Sequence, residues 1–137
     1  MNKKLSAIIL LAVILVAGFL VFDYTKENVY LEVHGEKISN STDIFVVCTV
    51  IDSNGNLVDT NYGKLNIGLY ENNGCCGVIF EDCPLYHGKS ISVLPNDYGK
   101  YDVHYDGGYF YKPADVCGDL IILNQTNLTY DDITRNF

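Results

Sequence analysis

Apolar and polar residues follow two different regimes along this chain. From Leu5 to Phe22 no charged residue occurs, and the run of eighteen ends at Asp23. At 1.5 Å rise per residue, that stretch predicts a helix of about 27 Å, close to the thickness of a bilayer's hydrocarbon core. Beyond Asp23 no stripe with helical period is sustained. Short runs of Val, Ile, Leu, Tyr and Phe alternate with polar residues, and Gly/Asn/Asp clusters separate them. Alternation of period two, broken by turn residues, is the pattern of half-buried strands.

About seven strands are predicted. Val29–His34 places Val29, Leu31 and Val33 on one face. Asp43–Ile51 is almost wholly apolar and reads as a central strand buried on both sides or deeply on one. Asp52-Ser53-Asn54-Gly55-Asn56 is a turn, because Asn and Gly tolerate positive φ. Lys64–Tyr70 directs Leu65, Ile67 and Leu69 inward. After a Gly/Asn/Cys loop at Asn72–Gly77 come Val78–Phe80, then Lys89–Leu94, then Lys100–Asp106. In the last of these Tyr101, Val103 and Tyr105 oppose Asp102, His104 and Asp106. A final region, Tyr109–Leu123, is interrupted by Pro113, and residues 124–137 read as a loose polar tail with a short helix at Tyr130–Arg135.

The N-terminal run sets the compartment. Lys3 and Lys4 precede it, so the positive-inside rule keeps residue 1 cytoplasmic and exports everything after Asp23. Two fates of residues 1–22 compete. A cleaved signal peptide would use a small-residue site such as Val16-Ala17-Gly18. A signal anchor would stay, and the length of the run and its continuation through Phe19 to Phe22 favour this second reading. The expected localisation is the cell membrane, single-pass, with the C-terminal domain outside.

Composition narrows the rest. The exported part, 115 residues, holds one core-forming domain, taken as 23–123. It carries seven basic against all 17 acidic residues, a formal charge of −10. Phosphate backbones would be repelled, so nucleic acid is not an expected partner.

Strands with turns every 8–12 residues suit an immunoglobulin-like β-sandwich, an all-β fold. Asp97-Tyr98-Gly99-Lys100-Tyr101 has the D-x-G-x-Y spacing of a tyrosine corner, in which Gly99 permits the turn and the Tyr101 hydroxyl bonds back to the backbone. Val103 stands where antibody-type domains carry their second cysteine, and Cys48 where they carry the first. Asp52 to Val58, Gly99-Lys100-Tyr101, Tyr105-Asp106-Gly107-Gly108 and Tyr111-Lys112-Pro113-Ala114 together resemble the bacterial Ig-like repeats of invasins, intimins and adhesin-like surface proteins of bacteria and archaea. The resemblance covers roughly Val46 to Leu123 and implies a sandwich with a structural or adhesive role, partnered by a cell-surface protein or glycan. The chain departs from those repeats in its five cysteines and in a Cys-rich insertion from Gly74 to His87. Transthyretin-like and carboxypeptidase-regulatory sandwiches share a similar rhythm and are the alternative fold.

Cysteines in an exported domain pair by default. With five, at least one stays free; Cys48, mid-strand among apolar residues, is the expected free thiol, and Cys75, Cys76, Cys83 and Cys117 are the candidates for disulfides. The competing reading is a metal site from Cys75, Cys76, Cys83 and His87, although adjacent cysteines point apart and zinc prefers a C-x₂₋₄-C knuckle. Asp102, His104 and Asp106 on one strand face, and Asp52-x-Asn54-x-Asn56, are further cation candidates. The second lacks the glycine and closing glutamate of a calcium loop, since Leu57 and Gly63 stand there. Tyr105, Tyr109 and Tyr111 could form a stacking platform for sugars. Asn40, Asn124 and Asn127 head N-x-S/T sequons. No catalytic residue and no cofactor emerges. The expected function is a membrane-anchored extracellular binding or structural domain, with an exported thiol- or metal-binding protein as the alternative.

Overall fold

The computed structural model describes residues 2–134. One helix, α1 (Lys3–Thr25), precedes eight strands, β1 (Tyr30–Lys37), β2 (Asp43–Ile51), β3 (Lys64–Tyr70), β4 (Gly77–Pro84), β5 (Lys89–Pro95), β6 (Lys100–Tyr105), β7 (Ala114–Asp119) and β8 (Ile122–Leu123). Asn2 caps α1: its Oδ1 accepts the Lys4 amide at 3.0 Å. From Lys3 to Phe22 the helix, apolar after Lys4, is long enough to cross a membrane and covered by no part of the domain. Its apolar side chains run all round the axis, from Leu5 and Ile8 to Leu20 and Val21, rather than along one seam.

The strands form two four-stranded sheets, ordered β5-β2-β1-β8 and β4-β3-β6-β7. All neighbours are antiparallel except β8, which runs parallel to β1 through Gly35↔Ile122 and Glu36↔Leu123. One core lies between the sheets, with Leu31, Val33, Val46, Cys48 and Val50 from the first and Leu65, Ile67, Leu69, Val103 and Tyr105 from the second. Each set alternates along its strand, as a half-buried sheet requires. The chain crosses between sheets after β2, β4, β5 and β7. The connections β2–β3, β4–β5 and β6–β7 therefore gather at the end where α1 joins. The connections β1–β2, β3–β4 and β5–β6 gather at the opposite end.

Three expectations change. The tail is not loose: residues 124–134 fold back over the outer face of the first sheet. Leu128 and Ile133 pack on Phe45, Val47 and Ile91, and the Tyr130 ring meets Phe45 edge-on at 5.7 Å. Thr134 exchanges two hydrogen bonds with Ile91, amide to carbonyl and amide to Oγ1, each at 3.1 Å. This explains why β2 is apolar on both faces, since the tail supplies the second cover. The short helix is a single 3-10 turn, Tyr130–Asp132; Arg135 lies outside the described residues.

The second change is in β4, expected to be a short strand, Val78–Phe80, after the Asn72–Gly77 loop. It runs Gly77–Pro84 and pairs with β3 along its length, with a register shift between Leu65 and Ile67. Opposite Asn66 the strand carries an extra residue, at Glu81 and Asp82; Asp82 has φ of 53° and donates its amide to Asn66 Oδ1 at 3.0 Å. A bulge of this kind resets the alternation of side chains. Cys83 thereby turns into the core instead of out to solvent.

The third concerns the corner. The Tyr101 hydroxyl makes no hydrogen bond among the described residues; its ring end lies over Gly118 on β7. The tyrosine whose hydroxyl returns to the backbone is Tyr105, four residues on, and it donates to the Tyr62 carbonyl at 3.1 Å. Tyr105 is fully buried, and burial first, then the charge of Asp106, pushes its hydroxyl up to about 12. Tyr105→Phe is expected to cost about 1–2 kcal/mol, and Tyr101→Phe less than about 0.5 kcal/mol. Denaturant melts of both variants measure this, and a larger loss at Tyr101 would place the corner back at Asp97–Tyr101.

Candidate functional site

At the end of the sandwich away from α1, the β3–β4 hairpin carries Cys75 and Cys76. Its turn closes on itself: the Glu71 amide donates to the Cys76 carbonyl at 2.9 Å, Gly74 to Glu71 at 2.8 Å, and Cys75 to Asn73 Oδ1 at 2.9 Å. Backbone bonds thus close the segment without a covalent or metal staple. Beside it, the Gly99 amide donates to Tyr70 at 3.0 Å and the Leu120 amide to Gly99 at 2.7 Å. A side chain at Gly99 would run into Asn72. These contacts frame a cleft of about 360 Å³ lined by Asn72, Asn96, Asp97, Tyr98, Asp119 and Leu120. Amides, carboxylates and a tyrosine, without a basic group, suit neutral hydroxyl-bearing ligands and disfavour anions. Asp97 and Gly99 of the expected corner therefore serve here as cleft residues, which a turn motif alone could not reveal.

The cysteines are not gathered. Cys75, Cys76 and Cys117 are exposed, Cys48 and Cys83 are buried, and none is bonded to another. The expected bridges from Cys83 to Cys75, Cys76 or Cys117 fail for geometric reasons, and Cys117 is likewise unbonded to Cys75 and Cys76. Cys83 sits seven residues along an extended strand from Cys76, about 23 Å at 3.3 Å per residue. It also lies on β4, at the edge of the sheet opposite to Cys117 on β7, with β3 and β6 between. Disulfides need Cα atoms within about 7 Å. The same separation parts Cys75 and Cys76 from Cys83 and His87 as metal ligands. Among the described residues no group of three His, Cys, Asp or Glu is arranged to hold an ion.

Burial chiefly, and then Cys83, pushes the Cys48 thiol up to about 12; burial and then Asp82 push Cys83 up as well, against a smaller lowering by its own backbone hydrogen bond. Such thiols are poor nucleophiles. A thiol reagent added to the native chain in detergent is expected to modify the three exposed cysteines and to reach the two buried ones only in denaturant. A count of one thiol in denaturant without reductant would restore the two-bridge reading.

The remaining candidates disperse as well. His87 takes Asp59, Nδ1 to Oδ1 at 2.6 Å, and His104 takes its cross-strand partner Asp115 at the same distance. Both pairs are well exposed and add little stability. The Asp106 carboxylate accepts the Lys64 amide at 2.7 Å instead of joining Asp102 and His104. Asp52 Oδ1 accepts the amides of Asn54 and Asn56, each at 2.9 Å, so the Asn-Gly segment is a turn closed by its own aspartate. The tyrosine platform does not assemble, because Tyr105 is buried and Tyr111 half-buried while Tyr109 is exposed. Asn40, Asn124 and Asn127 are all exposed. Compared with known proteins, the chain matches no family model, no curated protein and no solved structure.

Proposed function

We propose that this protein is a membrane-anchored extracellular immunoglobulin-like domain with a structural or binding, adhesin-like role at the cell surface. The observation that carries the reading is α1: an uncovered helix, apolar all round, joined by only Lys26–Val29 to a two-sheet β domain. A soluble domain has no use for such a helix, whereas lipid accommodates it on every side. The strand order supports the immunoglobulin-like part. The first, second and fifth strands share one sheet, and the third, sixth and seventh share the other, with the fourth beside the third. In this orientation the polar cleft at Asn72 and Asp97 points away from the membrane, where a cell-surface glycan or protein would meet it.

Topology is the direct test. The domain is expected to be cut by protease added to intact cells, and the chain to stay with the membrane through carbonate extraction. Release into the medium with a new N-terminus near Phe19 would replace the anchor by a cleaved signal.

A further inference from the structure

The end of the domain that receives α1 differs from the rest of its surface. Helix α1 stops at Thr25, and two residues later Glu27 is already bonded into the β6–β7 connection, its amide to Phe110 at 2.8 Å and its carbonyl from Lys112 at 2.9 Å. That connection therefore lies within about 7 Å of chain from the last turn of the helix, whatever the tilt of the helix. Among the described residues, ten large apolar side chains are exposed outside α1, and six of them sit at this end. Tyr109 and Phe110 are 67% and 64% exposed, and Tyr62 meets Tyr109 edge-on at 5.8 Å. Tyr86 and Leu57 add to them from the neighbouring connections. In a domain of charge −10, four of the six described lysines beyond the helix, Lys26, Lys64, Lys89 and Lys112, also lie here. Lys112 Nζ stands 6.0 Å from the Tyr24 ring, and Lys26 Nζ 5.6 Å from the Phe22 ring, at the end of the apolar run.

We infer that this end is a footing on the bilayer: the β2–β3, β4–β5 and β6–β7 connections rest in the headgroup region of the membrane that α1 spans. The inference rests on reading α1 as a membrane span. Tyrosine rings with apolar bodies and polar tips favour the interface, and lysines beside them meet lipid phosphates. Of the acidic residues that share this end, Asp52 and Asp106 accept backbone amides and Asp59 holds His87, and in this posture the polar cleft stands upright. A linker of four residues between helix and domain leaves little freedom for another posture.

The chain contains no tryptophan, so one introduced indole reports its own surroundings. The full chain carrying Phe110→Trp, Ile121→Trp or Leu11→Trp would be placed in phosphatidylcholine–phosphatidylglycerol vesicles containing lipid brominated high on the acyl chain. Phe110→Trp is expected to shift to the blue and lose more than half its emission, while Ile121→Trp, at the far end, loses none. Tyr109→Trp serves if Phe110→Trp melts below the wild type. Quenching of Leu11→Trp without quenching of either footing reporter would overturn the footing and leave the span intact. No quenching of Leu11→Trp would overturn the span and the footing with it. A blue shift of the footing reporters without quenching, lost on diluting the protein in lipid, would overturn the footing and assign this end to a second copy of the chain.

Discussion

Gly88→Ala is expected to destabilise the domain by at least about 3 kcal/mol. Gly88 is buried in the β4–β5 connection at φ 77°. Its amide donates to Thr60 at 2.7 Å and its carbonyl accepts from Val50 at 2.8 Å, so it ties the crossover to both ends of the β2–β3 connection. A Cβ there would run into the Val58 carbonyl oxygen, and backbone cannot swing aside as a side chain can. Strain of the left-handed backbone adds to the clash. Gly55→Ala separates the two contributions. Gly55 has φ 81° but open space around its Cβ position, so it should lose only about 1 kcal/mol. Denaturant melts of the two variants in detergent give the comparison, and equal losses would show that Gly88 is not clamped by its neighbours.

Phe45→Ala is expected to cost about 3–5 kcal/mol and to free the tail. Phe45 is 1% exposed although it faces outward from the first sheet, because Leu128, Tyr130 and Ile133 cover it. Truncation removes the ring that the tail packs on, so the two hydrogen bonds between Ile91 and Thr134 lose the contacts that exclude water from them. Hydrogen exchange at the amides of Ile91 and Thr134 should then rise by more than the exchange of the β3 and β6 amides. A stability loss spread evenly over both sheets would mean that the tail is not held by this cluster.

Much of this fold was legible in the residue order. The span of β3 emerges from alternation, because Val, Ile and Leu at every second position have one way to reach a core, and that of β2 from an apolar run bounded by turn residues. The bare helix is equally plain, since a run without charge needs no tertiary partner to be recognised as lipid-compatible. The uniformly apolar β2 left open burial on both faces or deep burial on one, and the structure shows both faces covered. What covers the outer one could not be read, because Leu128, Tyr130 and Ile133 are scattered among polar residues with no period of their own. The thiols were misplaced for a similar reason. One extra residue in β4 turns Cys83 inward, and the pairing of β4 with β3 keeps it far from Cys75 and Cys76; neither leaves a local mark in the sequence. The same holds for the tyrosines: Tyr101 and Tyr105 occupy equivalent positions on one face of β6, and only the β2–β3 connection, arriving from 43 residues upstream with the Tyr62 carbonyl, decides which hydroxyl is bonded. Local periodicity determined which residues seek the core and which segment suits lipid. Contacts between residues distant in the chain decided the partner of each side chain and which loops share an end with the helix.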